Sequence, residues 1–384
     1  MKRNLAQLSF ITNLKKNLFF PEFYLIANIF VISRIFYYAV VVGMLYLEDL
    51  GYQPSILCQY DCGWYLGITS VGYMKTALTE GQVGAANWVF FPLHPLIVKA
   101  LADLTYIPVL VTAYLLGNLF LFGALIYLYK YVSKLFSITA ARYTVILVAA
   151  SPVNVYFTSF YTESLFLFLL SAAIYHATQR HWIIGGILGS LLGATRNTGF
   201  LIGLIFIAIF VFNKDWERED SKLRSFLISL TLIPVGLVTY MIFLHYRTGD
   251  SLAFSNAQKA GWGWTQNSSP LWIIDSLRWL MGGMLFGSTF IKVSYMSLII
   301  SCFTCIYFLL KKRYIELIVI LPITLFALNS TMFSYRHFLG LYPIYLMLAL
   351  LVEKRKWLFG TLLVCEAAAM PLVVHLWVTG FGPT

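Results

Sequence analysis

The sequence predicts an all-α protein that crosses a membrane many times. Of its 384 residues, 60% are hydrophobic and 11% are charged, a balance that no water-soluble domain of this size needs. Apolar runs of about 20 residues, long enough to cross a hydrocarbon layer ~30 Å thick, recur from Phe23 to the C-terminus. Because backbone groups in lipid must be satisfied within each segment, these runs must be helices. We predict one membrane domain over residues 1–384.

The basic residues fall in short connections and predict the topology. The formal net charge is +11, which in a soluble protein would suggest a nucleic-acid partner. Here membrane topology explains the charge, so we predict no such partner. The positive-inside rule places the basic clusters in the cytoplasm, which puts the N-terminus inside and the C-terminus outside. These clusters lie at 2–16, 130–142, 180, 213–224, 311–313 and 353–356.

With those ends assigned, we predict about eleven transmembrane helices. Two helix pairs, 141–155 with 161–179 and 182–195 with 199–212, contain arms of only about 15 apolar residues. Their connections should dip into the outer leaflet, where irregular backbone is tolerated only beside protein or a water-filled cavity, so they predict an outward-facing cavity. The predicted helices span 23–47, 106–129, 141–155, 161–179, 182–195, 199–212, 225–245, 281–310, 314–329, 338–352 and 357–378.

Two long loops, at about 48–105 and 246–280, are predicted to lie outside. Between Glu48 and Leu104 the sequence has five acidic residues and two lysines, so the loop lacks the basic excess of a cytoplasmic connection. Both loops mix aromatic and apolar residues with Gly and Pro. We therefore predict short amphipathic helices at the membrane interface.

The five cysteines are too few and too scattered for a disulfide framework. Cys58 and Cys62 lie outside in this topology and would be able to bridge in an oxidising compartment. The preferred interpretation of the cysteines is nevertheless as small buried side chains. A CxxxC spacing without further ligands is a weak zinc signal, and we predict no metal site.

Ionisable residues away from the cytoplasmic clusters collect at the external ends of helices. Such residues in apolar surroundings are functional candidates, because an unpaired charge there is costly. Together they predict one external site. They are Asp61, His94, Glu163, Arg196, Arg247, Asp250, Arg336 and His337.

Asp61 stands in the stretch CQYDCGWYLGITSVGY (58–73), among aromatic residues, glycines and two cysteines. Low polarity and few neighbouring cations would keep its carboxylate basic enough to accept a proton, as a general base requires. The alternative is that Asp61 caps a helix beginning near Gly63. The spacing does not separate the two roles.

Arg196, Arg247 and Arg336 stand near external apolar ends. Guanidinium groups bind phosphate bidentately and stay charged, so an outward-facing cluster fits a lipid phosphate. Snorkelling or an internal ion pair is the alternative for each. Arg34 lies near the middle of the first helix, where insertion costs about 2.5–3.5 kcal/mol, so we expect it to face the bundle and a carboxylate.

His94 and Glu163 have open roles. Two prolines flank His94 in FFPLHPL (90–96), and its ring would be able to donate to a phosphate or a sugar hydroxyl, or would be a plain interface histidine. Glu163 follows Thr162 at a predicted helix start, where the macrodipole favours an acid. Capping and sugar contact are both compatible with that position.

Seven stretches, which together cover most of the chain, carry a resemblance to one family. They are Ser33-Arg34, YDCGWYLGITSVGY (60–73), FFPLHPL (90–96), SP…YTESLF (151–166), ATRNTG (194–199), YRTGDSLAF…W (246–262) and YRHFLGLYP (335–343). In this order they resemble the bacterial relatives of GPI mannosyltransferase 2, the PIG-V-like branch of the glycosyltransferase C (GT-C) superfamily.

The resemblance implies a GT-C-type bundle that transfers a hexose, mannose by family, from a polyprenyl-phosphate carrier to a hydroxyl of a membrane glycolipid or glycan, with inversion. Asp61 occupies the position of the family's base, while Cys62 replaces the commoner Gly. For the carrier phosphate we predict Arg196, Arg247, Arg336 and His337. For the acceptor or sugar we predict Trp64, Tyr65, His94, Glu163 and Arg34. No cofactor is implied.

Two other functions stay open. A lipid or sugar transporter or flippase would also be polytopic and basic, but it should have ionisable residues near the midplane and related halves. A GT-C transferase of another sugar, such as an amino sugar, has the same sequence features. The compact length favours a bacterial inner membrane, with the site on the periplasmic side.

Overall fold

The computed structural model describes residues 22–51, 53–214, 220–263, 272–330 and 333–380, and within these ranges the regular elements are all helices. The basic cluster at 2–16 and part of the loop at 213–224 lie outside the described residues. The α-helices are α1 (Phe23–Leu47), α2 (Cys62–Val71), α3 (Leu93–Thr105), α4 (Val109–Leu135), α5 (Ile138–Ala150), α6 (Asn154–Thr158), α7 (Glu163–Thr178), α8 (Trp182–Gly193), α9 (Ile202–Phe212), α10 (Asp220–Leu232), α11 (Val235–Thr248), α12 (Ala253–Trp262), α13 (Trp272–Phe286), α14 (Thr289–Leu310), α15 (Tyr314–Leu328), α16 (Tyr335–Leu339), α17 (Tyr342–Val352) and α18 (Lys356–Val378).

Eleven apolar helical segments of the described chain correspond to the eleven predicted spans. Five are long enough to cross a bilayer alone: α1, α4, Lys222–Thr248 (α10 continued by α11), α14 and α18. Six are shorter: α5, α7, α8, Asn197–Phe212, α15 and α17. The prediction of an all-α polytopic membrane protein is therefore confirmed. Helix α4 begins later than predicted because Tyr106 adopts a left-handed conformation and Pro108 sets the new helix start.

The connection between α5 and α7 runs inside the protein. Pro152 stops α5, and nearly every residue from 151 to 162 is buried. The Asn154 amide donates to the carbonyls of Ala149 (2.8 Å) and Ser151 (2.7 Å), which satisfies backbone groups that have no helical partner. This irregular backbone lies beside protein, as the short arms predicted.

Small residues let α8 approach α10 and α11 closely. A Cβ on Gly186 would lie 2.8 Å from the Ser229 Cα, and one on Gly236 would lie 1.9 Å from the Ser190 carbonyl oxygen. A larger side chain at either position would push the helices apart. This packing positions the end of α8, from which the chain continues to Arg196.

The two long predicted external loops contain helices and contact each other. The first holds α2 and α3, and the second holds α12 and the start of α13, with 264–271 outside the described residues. The Gln82 side chain donates to the Gly261 carbonyl (2.7 Å), and a Cβ on Gly261 would lie 2.4 Å from the Ala85 Cα. The end of α12 is therefore held against the first loop.

Cys58 and Cys62 are joined by a disulfide, so the interpretation of all the cysteines as small buried side chains is wrong for this pair. Cys302, Cys305 and Cys365 are free. Disulfides persist in oxidising compartments, which supports the external placement of the first loop. The bridge also encloses Asp61 in a short covalent loop.

We expect the first loop and the α14–α15 turn to lie on opposite sides of the membrane. Lys75 and Lys312 are both exposed, so each can be replaced by cysteine in a variant lacking the three free cysteines. In intact cells an impermeant maleimide should label Lys75→Cys but not Lys312→Cys until the membrane is permeabilised. The reverse labelling pattern would invert the topology.

Candidate active site

A cavity of about 400 Å³ opens between the first loop, α12 and the helices α7, α9 and α15. Its two parts differ in chemistry. The hydrocarbon part is lined by Phe166, Leu170, Ile205, Ile318, Pro322 and Phe326. The polar part is lined by Asp61, Thr195, Arg196, Asn197, Gln258, Arg336 and His337.

Asp61 presents its carboxylate to the cavity and not to the helix that follows it. It occupies the N-cap position of α2, but its backbone is helical and its side chain makes no capping hydrogen bond. Its Oδ2 instead accepts a hydrogen bond from Arg336. The expectation of few neighbouring cations is therefore wrong, and the capping alternative has no geometric support. The side chain is 22% exposed, so a substrate hydroxyl can reach it.

Tyr161 holds the Asp61 backbone in place. Its hydroxyl accepts from the Asp61 N–H (3.0 Å) and donates to the Gln59 carbonyl (3.0 Å). Tyr60, which lies between Gln59 and Asp61 in the chain, has a φ of 52°. Together with the Cys58–Cys62 bridge, this contact orients the Asp61 side chain.

Arg336 lies at the centre of the charged cluster. It comes from α16, and in addition to Asp61 its Nε is 3.9 Å from Glu163 Oε1. Its guanidinium lies over the rings of Tyr161 (5.1 Å) and Tyr156 (5.6 Å). Burial alone would lower the pKa of Arg336, but the two carboxylates outweigh burial and raise this pKa well above its ordinary value. Arg336 therefore stays charged.

Glu163 and Arg196 form a second ion pair, beside the first. Arg196 Nη2 is 2.5 Å from Glu163 Oε1, and Arg196 Nε donates to the Thr162 hydroxyl (2.7 Å). Glu163 begins α7, where the macrodipole favours its charge, and it is 2% exposed and does not line the cavity. It therefore lies behind Arg196, which does line the cavity.

His337 contributes a neutral donor to the cavity. Its Nδ1 accepts from the Ser334 N–H (3.2 Å), which leaves the proton of a neutral ring on Nε2. Burial, and then the charges of Arg336 and Arg196, hold the pKa of His337 well below its ordinary value. It can therefore hydrogen-bond an anion without adding a charge.

Arg34 faces the bundle, as expected, but it does not meet a carboxylate. Its guanidinium donates to Asn154 Oδ1 (2.5 Å), the Ala149 carbonyl (3.2 Å) and the Thr158 hydroxyl (3.3 Å), so in the described chain its partners are neutral oxygens. The sequence does not reveal this because Asn154 lies 120 positions away. Arg34 secures the buried connection that carries Tyr156 and Tyr161, outside the cavity lining.

Three further predicted residues do not line the cavity. Arg247 donates through Nε (3.0 Å) and Nη2 (2.5 Å) to the Tyr73 carbonyl. His94 is 0% exposed and packs against Tyr65 and Phe160, and burial followed by the Arg196 charge lowers the pKa of His94 to about 3. Trp64 packs behind the lining residue Phe90, whereas Tyr65 does line the cavity.

Sequence reasoning missed several cavity residues. Tyr161, Gln258 and Trp262 carry no charge, so the search for ionisable groups passed over them. Tyr161 and Trp262 nevertheless fall within the quoted YTESLF and YRTGDSLAF…W stretches. The aromatic residues of those stretches were therefore the sequence feature from which Tyr161 and Trp262 could have been predicted as site residues.

Comparison with known proteins identifies no family. No protein-family model matches the sequence, and no curated protein matches it. Among solved structures, the chain is similar to the Archaeoglobus fulgidus oligosaccharyltransferase, described as a complex with Zn and sulfate, with 13% sequence identity and a TM-score of 0.42. The similarity covers 77% of this chain and 45% of that one, so this chain spans less than half of that structure.

Proposed function

We propose that the protein is an inverting GT-C-type glycosyltransferase. It transfers a hexose, with mannose the first candidate, from a polyprenyl-phosphate carrier to a hydroxyl of a membrane glycolipid or glycan. The observation that carries the proposal is a cavity in which the Asp61 carboxylate and two arginines adjoin a hydrocarbon-lined part. We place this site on the periplasmic face of a bacterial inner membrane.

The hydrocarbon part of the cavity suits a lipid chain. Its lining comes from the apolar helices α7, α9 and α15, and contains Leu170, Ile205 and Ile318. Burial of an isoprenoid chain there gains about 25 cal/mol per Å² of apolar surface. A water-soluble nucleotide-sugar donor would gain nothing from such a lining.

The polar part suits the phosphate of the same carrier. Arg196 lines it with a guanidinium that can bind phosphate bidentately, and His337 lines it with the N–H of a neutral ring. Arg336 lies beside both of these residues and beside Asp61. When the sugar–phosphate bond breaks, its electron pair passes to the phosphate oxygen, whose growing charge these donors stabilise. These side chains can do so without a metal, and the proposal includes none.

Asp61 has the chemistry of the base in this reaction. Its carboxylate takes the proton of the acceptor hydroxyl as that oxygen attacks the anomeric carbon from the side opposite the phosphate. The new glycosidic bond therefore has inverted configuration. The ion pair with Arg336 aligns the carboxylate before the acceptor arrives.

The function can be tested with purified protein in liposomes. Polyprenyl-phosphate mannose, radiolabelled in the sugar, is supplied with a bacterial membrane-lipid extract as the acceptor source. We expect label to move to a new lipid or glycan while free polyprenyl phosphate appears. Intact donor that merely changes leaflet would instead support a flippase, and label transfer from a glucose or amino-sugar donor alone would change the assigned sugar.

A further inference from the structure

Two aromatic side chains, Phe90 and Trp262, line the cavity together with the amide of Gln258. Trp262 and Gln258 come from α12, and Phe90 comes from the first loop. The Trp262 ring centroid is 5.7 Å from that of Phe90 and 5.4 Å from that of Trp64, which stacks on Phe90 at 5.8 Å. Phe90 and Trp262 form an aromatic wall of the cavity, and Trp64 packs against both from outside the lining.

The wall is held by contacts between the two long loops. Gln82 binds the carbonyl of Gly261, next to Trp262, and Gly261 itself packs on Ala85. Gln258 precedes Trp262 by four positions on α12, so both side chains lie on the same face of that helix. The amide and the indole therefore border one space.

The wall lies close to the proposed base. Trp64 and Tyr65 follow Asp61 by three and four positions along α2, which places them on the side of the helix that carries the carboxylate. The Tyr65 ring is 5.0 Å from Phe90. Tyr65 therefore connects Phe90 of the wall to the side of α2 that carries Asp61, and all three residues line the same cavity.

We infer that the aromatic wall and Gln258 form the subsite that holds a saccharide ring of the acceptor. This inference rests on the proposed function. A pyranose has a C–H face that packs on aromatic rings and a rim of hydroxyls that an amide can both donate to and accept from. A simple lipid alcohol has neither a C–H ring face nor a rim of several hydroxyls.

Binding tests the subsite without any donor. Saturation-transfer NMR with methyl α-D-mannopyranoside as the probe is measured on the protein in lipid nanodiscs. We expect saturation of the ring C–H protons in the wild type, with binding weakened about 2- to 10-fold in Trp262→Ala and less in Trp262→Phe. Gln258→Leu should weaken binding as well. Trp357→Ala is the matched control, because Trp357 is 68% exposed on α18 and lies outside the cavity.

Equal saturation transfer in the wild type and a folded Trp262→Ala variant would overturn the inference. Where transfer is measurable, Trp262→Ala should raise the KM for a glycoside acceptor and leave the KM for the donor unchanged. A raised donor KM alone would assign the wall to the donor sugar and also overturn the inference. A wild type that binds the mannoside at Trp262 but never cleaves the donor would overturn the proposed transferase function while supporting the saccharide site.

Discussion

Asp61→Asn should lower sugar transfer ~10²–10⁴-fold while the protein still folds and binds the lipid carrier. The amide keeps the volume of the carboxylate and can still hydrogen-bond Arg336, but it cannot take the proton of the acceptor hydroxyl. Single-turnover transfer from polyprenyl-phosphate mannose is the measurement. Asp61→Glu should also be impaired, since moving the carboxylate by about an ångström can cost on the order of 10²-fold.

Asp103→Asn is a matched control for that substitution. Asp103 belongs to the same long loop and pairs with Lys99 (3.0 Å), but it is exposed and lies outside the cavity lining. It should leave transfer unchanged. Because Asn caps helices about as well as Asp, near-normal transfer by a purified Asp61→Asn variant would exclude Asp61 as the base and reopen the transporter alternative.

Arg336→Ala should weaken carrier binding by roughly 1.5–3 kcal/mol, or about 10- to 150-fold in Kd, because a hydrogen bond to a charged phosphate is lost. Transfer should fall further, since Asp61 loses the partner that aligns it. Arg336→Lys should restore only part of the affinity, because lysine lacks the bidentate fork. Equilibrium binding of fluorescent polyprenyl phosphate measures the effect.

Arg247→Ala separates phosphate binding from loop structure. The sequence predicts that Arg247, like Arg336, binds the carrier phosphate. In the structure the Arg247 guanidinium instead donates to the Tyr73 carbonyl and does not line the cavity. We expect Arg247→Ala to lower the unfolding temperature and to leave carrier affinity unchanged. Equal losses of affinity in both variants, or none in Arg336→Ala, would contradict the phosphate role of Arg336.

The membrane architecture was predictable from the sequence because the free energy of placing a segment in lipid is nearly a sum over its own residues. The eleven predicted spans match eleven apolar helical segments and differ from them at the ends, most at the start of α14, which was predicted at residue 281 and lies at Thr289. Helix α5 ends at Ala150, before Ser151-Pro152, whereas the prediction wrongly continued it to residue 155. The sequence also predicted four polar residues that line the cavity, because a polar residue in an apolar chain is conspicuous without a structure. They are Asp61, Arg196, Arg336 and His337.

The partners of those residues become known only from the folded structure. Sequence reasoning alone leads to a polytopic helical protein whose ionisable groups gather at one side. It did not reveal that Arg336 would pair with Asp61, 275 positions away, that Arg34 would meet Asn154 in place of a carboxylate, or that Trp262 would pack against the first loop. Hydropathy depends on each residue's own chemistry, whereas a hydrogen bond requires two atoms to lie within ~3 Å, and only the folded chain brings distant segments that close.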